Sequence, residues 1–324
     1  MHARSNIDIT LWNKIMEKTL QELFTDYIAE CRFARGLRPQ TITGYEATFD
    51  HFSTMMPEVA TVGALTRENM IEFFKRIKTR TRIVGRDTPK IGLEDSTIKT
   101  YGNKLNAFFA WLIQGELIAR NPLNGIKLKY PEYNDKRALK TEEIHKIIAA
   151  ITLNPESPLM LKRDMMMVHL LLFCGLRKGE FISLREEDVD MNMKLVNTRA
   201  ETSKSKRSRS IPIHPTLFFH IQEYLMEKNR LGYTTESLIV STTKDKGLSV
   251  HGLKHWVEKL EKLSGVKFHL HQFRHSFACN LAKTNMSIIK IRDLMGHRSL
   301  KMTESYLRSL TFEDTRDDIN KMTI

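Results

Sequence analysis

Residues 271–306 read HQFRHSFACNLAKTNMSIIKIRDLMGHRSLKMTESY, and the polar groups in this stretch decide how the rest of the chain is read. Its apolar spacing predicts helices around His271–Leu281 and Ile288–Leu294. His271 and Arg274 then share one helical face a turn apart, where a pure packing argument would not put them. His297 follows a helix end in Met295-Gly296-His297-Arg298, and Tyr306 comes nine residues later. Upstream, the almost wholly apolar Met165–Phe173 predicts a buried helix ended by Gly175. Arg177 and Glu180 follow it in Cys174-Gly-Leu-Arg-Lys-Gly-Glu180. Lys194–Thr198 and Ser210–Ile213 predict short strands flanking the basic tip Ser203–Arg209, a hairpin that carries Lys204 and Lys206.

The first part of the chain, to about residue 130, reads as helical. Thr19-Leu-Gln-Glu22 is a capping box, continued by Leu20, Leu23, Phe24, Tyr27, Ile28 and Cys31 at helical spacing. Ile42, Tyr45, Phe49 and Phe52 give a second stripe. Thr66 is expected to cap a third helix with Met70, Ile71, Phe73, Phe74 and Ile77. After a basic loop at 78–95, Ser96 is expected to cap a fourth with Ile98, Tyr101, Leu105, Phe108, Phe109 and Leu112. The aromatic residues sit at core spacing and are read as packing, so four amphipathic helices suggest a small bundle. Between Asn121 and Arg137 the periodicity lapses around Pro122, Gly125 and Pro131, as in a linker. The expected organisation is an extension (1–18), a helical domain (19–120), a linker (121–137), a larger mainly helical domain with a little sheet (138–310) and a tail (311–324).

Composition bounds the function. The 324 residues suffice for two cores, since domains usually run to about 100–200 residues. Apolar residues make up 41% and charged residues 27%, the balance of a globular protein. No apolar run approaches the ~20 residues of a membrane span, and the N-terminus does not read as a signal peptide, so a cytoplasmic location is expected. Cys31, Cys174 and Cys279 are far apart within apolar patterns and read as reduced core thiols. The net charge of +13 favours a polyanionic partner, nucleic acid first. Lys75, Arg76, Lys78, Arg80, Arg82 and Arg86 run without an intervening acid, either as a phosphate-binding tract or as a solvated face.

Two Arg, a Lys, two His and a Tyr suit phosphodiester cleavage without a metal. Forked guanidiniums neutralise the charge that gathers on the non-bridging oxygens. A tyrosine hydroxyl can attack phosphorus, and with an ordinary pKa near ~10 it needs a base or a strong positive field. A lysine can protonate the departing oxygen. Taken singly, each residue also has a plainer reading: surface ion pairs for the arginines, a helix cap for His297, an interfacial position for Tyr306. His271 and His275 are i, i+4 as in a zinc site, but Gln272 stands where a zinc protease needs Glu, and no third ligand is evident.

Together these residues resemble the tyrosine recombinase, or phage integrase, family, of the simple two-domain Xer type. Its pattern is an arginine in Gly-Leu-Arg-x-x-Glu, a lysine in a β-hairpin, His-x-x-Arg, Gly-His, and a tyrosine nine residues on. Arg177, Lys204, His271 with Arg274, His297 and Tyr306 match it in order. The resemblance covers about residues 19–310. It implies a mainly α fold, with a four-helix, SAM-like core-binding domain followed by a mainly helical catalytic domain with a small antiparallel sheet. It implies that Arg177 and Arg274 clamp the scissile phosphate with a further hydrogen bond from His297. His271 would help deprotonate Tyr306 and Lys204 would protonate the leaving 5′ oxygen, with Lys206 as the rival lysine. Glu180 is read as supporting Arg177. No cofactor and no metal are implied. The implied partners are double-stranded DNA, three further copies in a synaptic tetramer, and accessory DNA-bending or directionality proteins; the tail is expected to dock on a neighbouring copy. A type IB topoisomerase-like relaxing enzyme and a DNA-binding protein that does not cut remain as alternatives.

Overall fold

The computed structural model describes residues 18–84, 87–129, 138–201 and 207–307, with the backbone alone described at 84 and 305–307. The chain divides into two compact units, Met1–Glu132 and Tyr133–Ile324. In the first, α1 (Leu20–Ala29) runs on through a π-helical turn, Glu30–Ala34, and is followed by α2 (Pro39–Met55), α3 (Arg67–Thr79) and α4 (Asp95–Gln114). The capping box forms: the Glu22 amide donates to Thr19 Oγ1 at 3.2 Å and the Thr19 amide to the Glu22 carboxylate at 2.7 Å. Thr66 caps α3 by accepting from the Asn69 amide at 3.2 Å.

Phe24 stacks on Phe49 with ring centroids 3.9 Å apart, and Phe108 meets both edge-on, so the aromatic stripes are core. Leu123, Ile126 and Leu128 pack against this same core. The opening of the segment expected to be a linker is therefore held on the first unit; residues 130–137 lie outside the described residues.

Two expectations fail here. The cap of α4 is Glu94, not Ser96: Glu94, ion-paired to Lys90 at 2.9 Å, takes the extended backbone and Ser96 falls inside the first turn. The expected loop at 78–95 contains an antiparallel ribbon of β1 (Thr81–Val84) and β2 (Thr88–Ile91), with Thr81 opposite Ile91 and Ile83 opposite Pro89. Ile83 and Ile91 are 72% and 75% exposed, so this ribbon has no buried face to print an alternating pattern on the sequence.

The second unit contains α5 (Thr141–Leu153), α6 (Pro158–Cys174), the short α7 (Lys178–Ile182), an antiparallel sheet, and five further helices. The sheet runs in the order β3 (Val189–Asp190), β4 (Leu195–Thr198), β5 (Arg209–Pro212). The foreseen hairpin is β4–β5, with Thr198 opposite Arg209; β3, two residues long, is too short to show a pattern. The helices are α8 (Pro215–Arg230), α9 (Val250–Ser264), α10 (Leu270–Lys283), α11 (Ile288–Met295) and α12 (Leu300–Leu307). The apolar run seen in the sequence is α6. It is buried along most of its length because α5, α8 and α10 all pack on it. Among the described residues no helix is long and apolar enough to cross a membrane.

α6 ends at Gly175, which adopts φ +54°, a left-handed conformation that costs an L-residue about 1–2 kcal/mol. A Cβ at this position would stand 2.3 Å from Cδ1 of Phe277 on α10. Gly265, after α9, has φ +69° with nothing within 4 Å of a Cβ. Gly175→Ala is expected to cost about 2–5 kcal/mol, the backbone penalty plus overpacking, and Gly265→Ala about 1–2 kcal/mol. Urea unfolding of the two variants checks this; equal losses would show that the contact with Phe277 carries no weight.

Candidate active site

The C-terminal end of α11 organises the site. The last carbonyls of a helix have no partner within it, and the left-handed turn at Gly296, φ +61°, turns the chain away and leaves them open. Three successive carbonyls each accept from a different arginine. Leu294 O accepts from Arg209 Nε at 2.7 Å, Met295 O from Arg274 Nη2, and Gly296 O from Arg177 Nη2 at 2.9 Å. Arg274 also donates through Nη1 to Gly175 O, at the end of α6. One guanidinium thus spans two helix C-termini, whose dipoles present partial negative charge. That is what allows a cation only 1% exposed to sit here.

Glu180 holds the arginines from the other side. Arg177 is the N-cap of α7; its amide donates to Glu180 Oε2 at 2.9 Å and its Nη1 to Oε1 at 3.0 Å. Arg209 grips the same carboxylate with a fork, Nη1 to Oε1 at 3.2 Å and Nη2 to Oε2 at 2.9 Å. Burial alone would raise the Glu180 pKa. The hydrogen bonds and charge of Arg209, and then those of Arg177, override burial and hold it at about 2. Three guanidiniums against one carboxylate leave the cluster with a surplus of positive charge.

His297 follows directly in the turn, 3% exposed, with Nδ1 2.9 Å from Thr303 Oγ1 on α12. Burial, reinforced by the positive charges of Arg274, Arg177 and Arg209, pushes its pKa down to about 3. The ring is therefore neutral at pH 7, and the tautomer in which the Thr303 hydroxyl donates to Nδ1 leaves the proton on Nε2. His271 stands exposed in the first turn of α10, one turn before Arg274, and its charge also acts on His297. Tyr306 belongs to α12, three residues after Thr303, and its side chain lies outside the described residues. Lys204 and Lys206 also lie outside them, although the strands flanking their segment are described. The structure thus gathers Arg177, Arg274, His297 and His271 at the end of α11 and the start of α10.

Two residues of this constellation were missed in the sequence. Arg209 was read as one of an exposed basic cluster, and Thr303 drew no attention. Arg209 left a signal: it is two residues before Ile211, hence on the same face of β5, and Ile211 is buried. A cation on the inward face of a strand needs a partner, which is Glu180. Gln272 returns its side chain to the His269 amide at 3.0 Å as part of the α10 cap. His275 is buried in α10 with Nδ1 3.6 Å from Cys279 Sγ. In the first unit half of the basic run is ion-paired: Lys75 with Glu72, Arg76 with Glu58 and Glu72, Lys78 with Asp95.

Removing Glu180 leaves buried cations without their counter-charge, so Glu180→Gln is expected to cost about 3–5 kcal/mol in denaturant unfolding. The pH dependence has a definite sign. His297 falls from its ordinary 6.5 to about 3, so the unfolded chain binds the proton first and stability drops as pH falls below 6.5. The contribution of Glu180 is full above its ordinary 4.5 and is lost as pH falls toward about 2. His297→Asn should make the stability profile shallower from pH 6.5 down to about 3, with the remaining slope carried by His51, His169 and His220, also depressed by burial, and by Glu180 at the acid end.

The family model described as the phage integrase family matches residues 137–312, more than half of the chain. The chain is 24% identical over 290 residues to the tyrosine recombinase XerC of Psychromonas ingrahamii, covering 89% of this chain and 91% of that one. It is 27% identical over 311 residues to a tyrosine recombinase of Pseudothermotoga lettingae, covering 95% and 99%. Among solved structures, the Tn1549 transposon integrase in complex with a circular intermediate DNA superposes with a TM-score of 0.73 at 20% identity, over 94% of this chain and all of that one. The fold is shared along nearly the whole length, and with the family's own domain spanning the arginine–histidine cluster, the chain belongs to the phage integrase family.

Proposed function

We infer that the chain is a site-specific DNA recombinase that breaks and rejoins strands through a covalent bond between DNA and Tyr306. The observation that carries this reading is the pair of forked guanidiniums, Arg177 and Arg274, held on adjacent carbonyls beside a neutral His297. A phosphodiester under attack gathers charge on its non-bridging oxygens, and rigid, desolvated donors that need no reorganisation stabilise it best. Arg177 and Arg274 clamp those oxygens, and His297 donates a hydrogen bond through Nε2. The hydroxyl oxygen of Tyr306 attacks phosphorus, and its proton passes to His271. The bond from phosphorus to the 5′ oxygen breaks, and Lys204 returns a proton to that oxygen. One ester replaces another, so a 5′-hydroxyl from a second strand can reverse the step on a new partner without ATP.

The similarity to XerC and to the Tn1549 integrase supports duplex DNA as the substrate. The net charge of +13 supports it as well. Exchange between two sites requires four active sites, so a tetramer assembled on DNA is the working form, with accessory proteins setting its direction.

Wild-type protein and Tyr306→Phe are incubated with DNA from the source organism, denatured in SDS, and the protein-linked ends sequenced. Discrete covalent ends with the wild type and none with Tyr306→Phe are expected. Tight binding with no covalent DNA in either sample would sink the cleavage reading and leave a DNA-binding protein that does not cut. If six or more phosphates are contacted, affinity should fall about 10³-fold or more between about 50 and 200 mM salt.

A further inference from the structure

Arg209 takes no part in the steps above, although its side chain is only 8% exposed and its guanidinium is engaged in the site. It donates to Leu294 O, to both oxygens of Glu180 and to Thr198 Oγ1 at 3.3 Å. It also packs against the Gly296 turn: a Cβ on Gly296 would stand 3.0 Å from Nη1, 3.3 Å from Cδ and 3.4 Å from Cζ. The turn therefore rests on Arg209, and the Gly296 carbonyl that receives Arg177 Nη2 belongs to that turn.

The charges follow from the same geometry. Each oxygen of Glu180 is shared, Oε1 between the Nη1 atoms of Arg177 and Arg209, Oε2 between the Arg177 amide and Arg209 Nη2. Without Arg209 the carboxylate would pair with Arg177 alone, and that pair would be neutral. With Arg209 the trio keeps one net positive charge. A phosphate approaching a neutralised arginine gains little, because its attraction is offset by repulsion from the carboxylate behind it.

We propose that Arg209 is a positioning residue for strand cleavage: it draws the charge of Glu180 away from Arg177 and props the Gly296 turn, so that Arg177 stays cationic and correctly held for the scissile phosphate. This rests on the reading of the site as one that cleaves phosphodiesters. It assigns Arg209 no contact with DNA. The residue acts in the rate of the chemical step rather than in affinity.

The test uses the full-length chain and the DNA site recovered by covalent trapping. Single-turnover formation of the covalent complex is measured at saturating protein for the wild type, Arg209→Gln, Arg209→Lys, and Arg209→Gln combined with Glu180→Gln. DNA affinity and thermal unfolding are measured alongside. Arg209→Gln is expected to slow cleavage about 10–100-fold while affinity changes less than about 3-fold. Adding Glu180→Gln removes the unbalanced carboxylate and should raise the rate at least about 5-fold above Arg209→Gln alone. A purely structural Arg209 gives the opposite result, since a second buried substitution only loosens the site further. Arg209→Lys keeps the cation but loses the fork, and should cleave at an intermediate rate.

A wild-type rate in Arg209→Gln, or a double variant no faster than the single, overturns the proposal. Should Arg209→Gln fail to fold, Arg209→Lys decides: a wild-type rate overturns the proposal, and a several-fold loss at unchanged affinity supports it. Absence of covalent DNA with the wild type itself overturns the cleavage reading instead, so the two failures are told apart.

Discussion

A helix end must find partners for its last carbonyls, and in this protein that requirement builds the site. At α11 the partners are three arginines on three different elements: Arg209 on β5, Arg274 on α10 and Arg177 at the start of α7. Each guanidinium satisfies a carbonyl that would otherwise be left open, and each is in turn desolvated at a place where backbone dipoles favour positive charge. The left-handed Gly296 makes this possible, because a helix that continued would consume the same carbonyls internally. Gly175 repeats the arrangement at the end of α6, and Arg274 joins the two ends. The buried helix that forms the middle of the second core and the last turn before His297 are thereby connected through one side chain.

The electrostatics of the cluster follow from this packing. Guanidiniums stay charged when buried, where a lysine would tend to lose its proton. Their field, together with burial, keeps His297 neutral, so the site holds fixed cations and one neutral imidazole rather than a second titrating positive group. Glu180 offsets part of the charge without abolishing it, and its low pKa shows how firmly the arginines hold it ionised. The combination of positive charge, low exposure and fixed geometry in this cluster results from requirements of folding that Arg274 and Arg209 would have to meet in any case.

The first unit follows a different logic. Its core is aromatic, from Phe24 through Phe108, and three cations of its most basic segment, Lys75, Arg76 and Lys78, are paired with acids of the same unit. A run of Lys and Arg in sequence therefore overstates the free positive charge on the folded surface. Glu58, Glu72 and Asp95, which come from before the run, its own helix and the helix after it, supply the counter-charges. Any polyanion bound there has to displace those pairs.

The sequence by itself determined the elements governed by local physics. Helix periodicity, the capping box at Thr19 and Glu22, the stop at Gly175 and the β4–β5 hairpin depend on neighbours within a few residues, and all were legible. The order of Arg177, His271, Arg274, His297 and Tyr306 was legible too, because it is linear. Tertiary structure alone decided what required distant residues to meet. The ribbon β1–β2 has no buried face and so left no alternating pattern. Glu94 rather than Ser96 occupies the N-cap position of α4, without a side-chain cap hydrogen bond. The partners of Arg209 at Glu180 and Leu294 are 29 and 85 residues away in the chain. Thr303 meets His297 only because α12 folds back after the Gly296 turn. Periodicity reports which face of an element is apolar, whereas the pairing of buried charges is fixed by which helix ends and strand edges the fold brings together, and that information exists only in three dimensions.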